Sequence, residues 1–242
     1  MKGIVLAGGL GTRLAPMTAV VNKHVLDLYD EPMIHYPLRT LARAGVTDVI
    51  VVVGRHGDQV RALLGDGSAL GVRIAYAHQE GEGGIAEALG RAREPAGAGP
   101  IVVILGDQVF QDDLLPFVER FRRDPSGARV LLKRVEDAGR FGVATIAGDR
   151  IVEIVEKPAA PVSDLAVTGC YMYEAGVFDV VAGLEPSARG ELEITDVNNH
   201  YVAAGTMAYD VLPGWWADAG THASKLKASI LVALTKGVTF HA

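Results

Sequence analysis

Residues 3–14 read Gly3-Ile4-Val5-Leu6-Ala7-Gly8-Gly9-Leu10-Gly11-Thr12-Arg13-Leu14. The apolar run at its start has no alternation, the pattern of a strand buried on both faces of a parallel sheet. It breaks into glycines where an open α/β sheet presents its ligands, outside the carboxyl end of a strand. Glycines let backbone N–H groups approach an anion closely, and Arg13 adds a fixed positive fork, so the turn reads as a phosphate cradle. A tight glycine turn with a surface arginine is the plainer alternative. Two familiar phosphate motifs fail here. A Walker loop needs Lys-Ser/Thr after its last glycine, whereas Thr12-Arg13 follows Gly11. A dinucleotide fingerprint needs a third Gly or Ala near Leu14 and an immediate helix, which Pro16 prevents. That failure also removes an NAD-binding oxidoreductase.

Outward from this loop, apolar runs alternate with helical patterns, as in a layered α/β sheet. A helix carrying Leu38, Leu41 and Ala42 ends near Gly45, and residues 48–53 form a nearly pure β-branched strand, completing a βαβ unit. Residues 59–64 and 85–93 read as helices, 72–77 and 101–105 as strands, and 94–99 as an exposed turn. Beyond a helix at 115–122 the pattern turns more β-like, over 129–135, 143–146, 151–155 and 167–173, which we read as completing the same sheet. Further helices are predicted at 194–204 and 222–235. The fold class is therefore α/β, a Rossmann-like three-layer mixed sheet, with residues 1–242 as a single domain.

Composition narrows the function. A 242-residue chain that is 49% hydrophobic and 21% charged is an ordinary soluble globule. A formal net charge of −6 argues against surfaces for nucleic acid polymers or anionic membranes, leaving small molecules as partners. Cys170 is the only cysteine, which rules out an intrachain disulfide and a cysteine-rich zinc site and fits a reducing cytosol. The first apolar stretch is too short for a signal-peptide core or a membrane span, so a cytoplasmic location is expected.

The loop extends as Ala15-Pro16-Met17-Thr18, with Lys23 and Asp30-Glu31-Pro32-Met33-Ile34 behind it. Leu105-Gly106-Asp107, Glu156-Lys157-Pro158, Arg189-Gly190-Glu191-Leu192-Glu193-Ile194-Thr195-Asp196 and Asp218-Ala219-Gly220-Thr221-His222 follow in order. This series resembles the sugar-1-phosphate nucleotidylyltransferases, closest to their glucose-1-phosphate thymidylyltransferase branch, along nearly the whole chain. The resemblance implies the nucleotide-diphospho-sugar transferase type of fold, with residues 1–110 as a nucleotide-binding half and 111–242 as a sugar-phosphate-binding half. It also implies Mg²⁺-dependent transfer of a nucleotidyl group from dTTP to glucose 1-phosphate, with release of pyrophosphate, by a homo-oligomer.

Joining two polyanions is mostly a problem of positioning and charge neutralisation, so such a site needs cations and a divalent metal rather than a nucleophile. By resemblance, Asp107 and Asp218 are the Mg²⁺ ligands, and Arg13, Lys23 and Lys157 are the catalytic cations. Leu6, Gly8, Gly9, Gly11, Thr12, Arg13, Gln79 and Gly84 match nucleotide contacts. Gly142, Glu156, Lys157, Val167, Tyr171 and Arg189 match sugar-phosphate contacts. The Gln79 amide suits the adjacent N–H donor and carbonyl acceptor of thymine or uracil, and guanine offers the same pair. Read without the resemblance, Gln79 is a solvated loop residue and each aspartate a turn or cap. Pro158 is expected to restrict and aim Lys157, and Trp216 either walls the pocket or packs.

Several positions depart from the branch's pattern. His24 stands for Gln, Asp27 for Pro, Gln108 for Asn and Phe141 for Tyr, and these departures are expected to cluster near substrate. Phe141 removes a hydroxyl available to a sugar, a change that can redirect preference. A GTP- or UTP-dependent enzyme for an unusual sugar 1-phosphate therefore stays open, as does a non-catalytic nucleotide-sugar sensor. The regulatory site of longer relatives is expected to be missing or rebuilt.

Overall fold

A computed structural model describes residues 1–239. Its strands are β1 Lys2–Ala7, β2 Asp27–Leu28, β3 Glu31–Pro32, β4 Asp48–Val53, β5 Arg73–His78, β6 Ile101–Leu105, β7 Gln108–Phe110, β8 Ala128–Arg134, β9 Gly142–Ala147, β10 Arg150–Glu156, β11 Leu165–Tyr173, β12 Met207–Val211 and β13 Trp216–Asp218. Its helices are α1 His35–Arg43, α2 Gly57–Leu64, α3 Ile85–Gly90, α4 Arg93–Ala96, α5 Leu115–Arg123, α6 Val177–Ala182, α7 Ile194–Ala203 and α8 His222–Thr235.

The main sheet runs β10-β9-β11-β6-β1-β4-β5, with β8 beside β11 and β12 beside β8. β1 lies parallel between β4 and β6, with Leu6 level with Val52 on one side and Leu105 on the other. β11 then pairs antiparallel with β6, so the sheet is mixed, as expected. Because successive side chains on a strand point to opposite faces, β1 feeds two cores. Ile4 and Leu6 pack with Leu89, Phe178 and Val197 from α3, α6 and α7, whereas Val5 and Ala7 pack with Leu38, Val60 and Val118 from α1, α2 and α5. The sheet thus sits between helical layers, and burying each of the Val, Leu, Ile and Phe side chains named contributes about 1.5–3 kcal/mol.

A third, smaller core joins Leu28 and Met33 to Val109, Ala217, Ala228 and Val232. It holds α8 against the β7–β13 ribbon. Thr221 and Ser224 form a reciprocal cap at the start of α8, which removes orphan N–H groups there. Next to the cap, His222 Nε2 lies 2.8 Å from the Ala15 carbonyl oxygen, tying α8 to the glycine-rich loop.

Two features differ from the sequence expectation. Residues 93–96 form α4 and bury Ala96, so the predicted turn at 94–99 is confined to the residues after that helix. The predicted helix at 85–93 is accordingly split, with α3 ending at Gly90. The strands β2, β3, β7, β12 and β13 and helix α6 were not foreseen: each is short, and β7, β12 and β13 pair only at long range. No described helix is long and apolar enough to cross a membrane.

Candidate active site

Every metal, catalytic and binding residue expected from the sequence lines one cleft of about 500 Å³, as do His24, Gln108 and Phe141, whereas Asp27 lies outside it. The volume falls in the range of small-molecule sites. β1 and β6 deliver their loops to the same end of the sheet. At that end Gly11 adopts φ 68°, a conformation glycine enters freely, and its carbonyl accepts from Leu14 N–H and Thr18 Oγ1, both at 2.8 Å. The turn is pinned beneath by the fully buried Leu14 while Arg13 stays exposed.

Asp107 leaves β6 and Asp218 ends β13, and they converge beside Gly220. A Cβ on Gly220 would stand 2.8 Å from Asp218 Oδ1, 3.3 Å from Asp107 Oδ2 and 3.1 Å from Arg13 Nη2. Lys23 Nζ lies 2.5 Å from Asp107 Oδ2. Burial pushes the Asp107 carboxyl up, but the Lys23 charge and hydrogen bonds from Lys23 and Gln108 outweigh it and hold the group below the usual carboxylate range. Asp218 is raised, by burial first and then by the charge of Asp107. Among the described residues no third metal-binding side chain joins them. Two neighbouring carboxylates, one with its ionised form disfavoured by burial and by the charge of the other, suit a hard cation that keeps waters and takes substrate phosphates for its remaining positions.

A relay missed in the sequence supports Asp107. Gln108 Nε2 donates to Asp107 Oδ1 at 3.0 Å, while Gln108 Oε1 accepts from Trp216 Nε1 at 2.6 Å. The Trp216 ring meets Phe141 with centroids 4.9 Å apart. Trp216 is therefore both packing and cleft wall. A Cβ on Gly169 would stand 2.7 Å from Gln108, so the glycine makes room for this longer amide.

At the other end, Glu156 Oε2 accepts from Thr195 Oγ1 at 2.6 Å, and Lys157 Nζ lies 3.1 Å from Glu156 Oε1. Arg189 bonds chiefly to Glu193 Oε1, at 2.8 Å, with Glu156 Oε1 farther off at 3.7 Å. Glu193 and Thr195 were not singled out, although both lie in the Arg189–Asp196 stretch. Lys157 has φ 43°, a left-handed conformation unusual for a side chain of its size, and its N–H donates to Phe141 O at 3.0 Å. The restriction expected from Pro158 takes the form of a strained backbone at Lys157, which follows directly on the β9–β10 pairing of Gly142 with Glu156. Val167 and Tyr171, both buried on β11, close the floor between the two ends.

Gln79 is buried rather than solvated, with 6% of its surface exposed. Its Nε2 donates to Glu87 Oε2 at 2.6 Å and to Gly84 O at 3.1 Å. Both amide hydrogens are therefore engaged, and the two-way base contact expected from the sequence is reduced to one available atom, Oε1. Gly84 adopts φ 95° against Leu192, where a Cβ would stand 2.5 Å from the Leu192 carbonyl oxygen.

Residues 2–233 match the sequence profile of the nucleotidyl transferase family. The chain is 42% identical to a glucose-1-phosphate thymidylyltransferase of Actinoplanes sp., over 94% of this chain and 77% of that protein. It is 40% identical to the enzyme of that name from Neisseria meningitidis, over 98% and 84%. A solved Bacillus anthracis structure in complex with sucrose, provisionally assigned as a glucose-1-phosphate thymidylyltransferase, superposes with a TM-score of 0.92 at 47% identity, covering 100% of this chain and 98% of that one. A UDP-glucose pyrophosphorylase bound to UDP-glucose shares the fold, with a TM-score of 0.85 at 23% identity over 97% and 98% of the two chains.

Proposed function

Because the chain belongs to the nucleotidyl transferase family, we propose that it transfers a thymidylyl group from dTTP to glucose 1-phosphate, giving dTDP-glucose and pyrophosphate. The observation that carries this reading is the arrangement of charge along one cleft. Asp107, Asp218, Lys23 and Arg13 gather at the glycine-loop end, and Glu156, Lys157 and Arg189 at the other. A non-catalytic sensor has no need of both sets.

In the proposed reaction an oxygen of the sugar phosphate attacks the α-phosphorus. The new O–P bond forms as the bond from that phosphorus to its bridging oxygen breaks, and pyrophosphate leaves with the electron pair. The backbone of Gly8, Gly9, Gly11 and Thr12 cradles the triphosphate, with Leu6 beneath the nucleoside. Arg13 and Lys23 neutralise charge on the departing pyrophosphate, and Lys157 faces the reacting phosphates from the opposite wall. Arg189 takes the sugar phosphate. Glu156, held by Thr195, accepts from sugar hydroxyls beside Gly142, Val167 and Tyr171. Gln79 and Gly84 meet the base. Asp107 and Asp218 would hold Mg²⁺, which when bound supplies Lewis-acid charge at the phosphates. The nucleotide thus falls to residues 1–110 and the sugar phosphate to 111–242, within one domain. The proposed setting is a cytoplasmic homo-oligomer acting on small molecules.

The test is pyrophosphate release from dTTP, UTP, GTP, CTP and ATP, each against glucose 1-phosphate and other sugar 1-phosphates, with and without Mg²⁺. Release that needs dTTP, glucose 1-phosphate and Mg²⁺ together is expected. Preference for another sugar would trace to the Phe141 wall, and no release despite nucleotide binding would replace the enzyme with a sensor.

A further inference from the structure

We infer that Glu87 decides which bases this cleft accepts, by locking the Gln79 amide with its carbonyl oxygen presented to the nucleotide. This deepens the nucleotidyl-transfer reading and rests on it. The lock follows from the two groups that face Gln79 Nε2, namely Glu87 Oε2 at 2.6 Å and Gly84 O at 3.1 Å. A carboxylate and a carbonyl can only accept, so the amide can only face them with its NH₂. Glu87 is itself held by Arg91, whose Nε donates to the other carboxylate oxygen. That leaves Gln79 Oε1 with no donor among the described residues, on a side chain that is 6% exposed and lines the cleft. The atom lies over the glycine loop. A Cβ on Gly8 would stand 2.0 Å from it, so a side chain at position 8 would occupy its place.

An acceptor on so buried a side chain, open only toward the cleft, selects for a donor, because a base that covers it without donating leaves it desolvated and unpaired. Thymine and uracil present a ring N–H at N3, and guanine presents one at N1. Cytosine N3 and adenine N1 carry a lone pair instead, which meets Oε1 as acceptor against acceptor. The cleft is thus built for bases with a ring N–H on the pairing edge. In Glu87→Gln the Arg91 guanidinium claims the new amide's carbonyl and turns its NH₂ toward Gln79, so the lock is broken by a nearly isosteric change.

The test is the affinity of the full-length protein for dTTP, UTP, GTP, CTP and ATP by titration calorimetry, in wild type, E87Q, E87L and R91A. Wild type is expected to bind dTTP at least about tenfold more tightly than CTP. E87Q and E87L should shrink that ratio several-fold, while R91A keeps the acceptor-only carboxylate and should retain it. Equal affinity of wild type for dTTP and CTP would overturn the proposal. So would an unchanged ratio in both Glu87 variants, with folding verified by circular dichroism. Because the readout is a ratio of affinities, absence of pyrophosphate release would refute the enzymatic reading while leaving the lock tested.

Discussion

Lys23 closes on Asp107, with Nζ 2.5 Å from Oδ2, and so occupies one of the two carboxylates that would otherwise face each other unscreened. The pair is largely buried, with 13% and 8% of the side chains exposed. Removing the lysine leaves a buried anion with the Gln108 amide but without its counter-charge, a change that costs about 3 kcal/mol. Lys23→Ala is therefore expected to lower the melting temperature in EDTA by roughly 6–12 °C. Mg²⁺ should recover more of the loss than it adds to wild type, because it supplies the missing charge. Turnover should still fall by about 100-fold or more, since the cation facing the leaving group is gone. Thermal melts with and without Mg²⁺ check the first part; an equal Mg²⁺ shift in both proteins would separate Lys23 from the cation site.

The Trp216–Gln108–Asp107 relay makes a second case. Gln108 is 3% exposed and is bonded at both ends of its amide. Gln108→Leu leaves an indole N–H and a carboxylate oxygen without that partner, for a loss of about 2 kcal/mol. Trp216→Phe keeps an aromatic ring against Phe141 but removes the donor, so a smaller loss is expected. Since the two changes break the same relay, their effects on stability should not add. A double-mutant cycle on melting free energies should return a coupling of about 1 kcal/mol. Strict additivity would mean that Trp216 and Gln108 act independently.

His24 predicts an acid limit to stability. Its ring is 1% exposed, with Nδ1 2.9 Å from Asn22 Oδ1. Burial first, and then the Lys23 charge, lower its pKa from 6.5 to about 3. The unfolded chain thus binds a proton that the native chain refuses between those two values. Stability is complete above pH 6.5 and is lost as pH falls toward 3, by roughly 1.4 kcal/mol per pH unit across the window. His24→Gln removes the titration while keeping a polar side chain of similar reach. Chemical denaturation at pH 7, 6, 5 and 4 in EDTA should show a shallower decline for H24Q. Parallel declines would place the acid sensitivity elsewhere.

How far the sequence revealed this site depends on the range of the signal. β1, β4 and β6 carry unbroken apolar runs because both faces of a central strand are buried, and such runs are visible locally. The loop after β1 is legible for the same reason: its glycines and Arg13 sit within a few residues of one another. β13 is different. Trp216–Asp218 is too short to show a period, and what makes it a strand is its pairing with Gln108–Phe110 across more than 100 residues of chain. The same holds for β12, which is parallel to β8 at long range. The Glu87 lock on Gln79 was within reach, since the two residues are eight apart, but nothing in their spacing says that the amide is buried. Pro158 marks Lys157 in the sequence as a restricted residue, but its left-handed conformation was not legible, because it depends on the Phe141 carbonyl that accepts from its N–H across the β9–β10 pair.

Gly220 offers the sharpest test of the carboxylate pair, because what matters there is empty space. An added Cβ would stand 2.8 Å from Asp218 Oδ1, closer than nonbonded carbon and oxygen tolerate, and 3.1 Å from Arg13 Nη2. The backbone N–H of Gly220 also donates to Asp218 Oδ1 at 2.7 Å, so the carboxylate cannot swing away without losing that bond. No positive φ is required at this position, and alanine is therefore compatible with the chain path. Gly220→Ala should leave the circular dichroism spectrum intact and move the melting point by only a few degrees. Its effect should fall on kcat, by about 100-fold, because displacements of about 1 Å at a reacting centre cost that much. The Mg²⁺ concentration for half-maximal rate should rise alongside. If kcat falls while the Mg²⁺ requirement stays fixed, the clash is borne by Arg13 rather than Asp218, and the role proposed for Asp218 as a metal ligand loses its support.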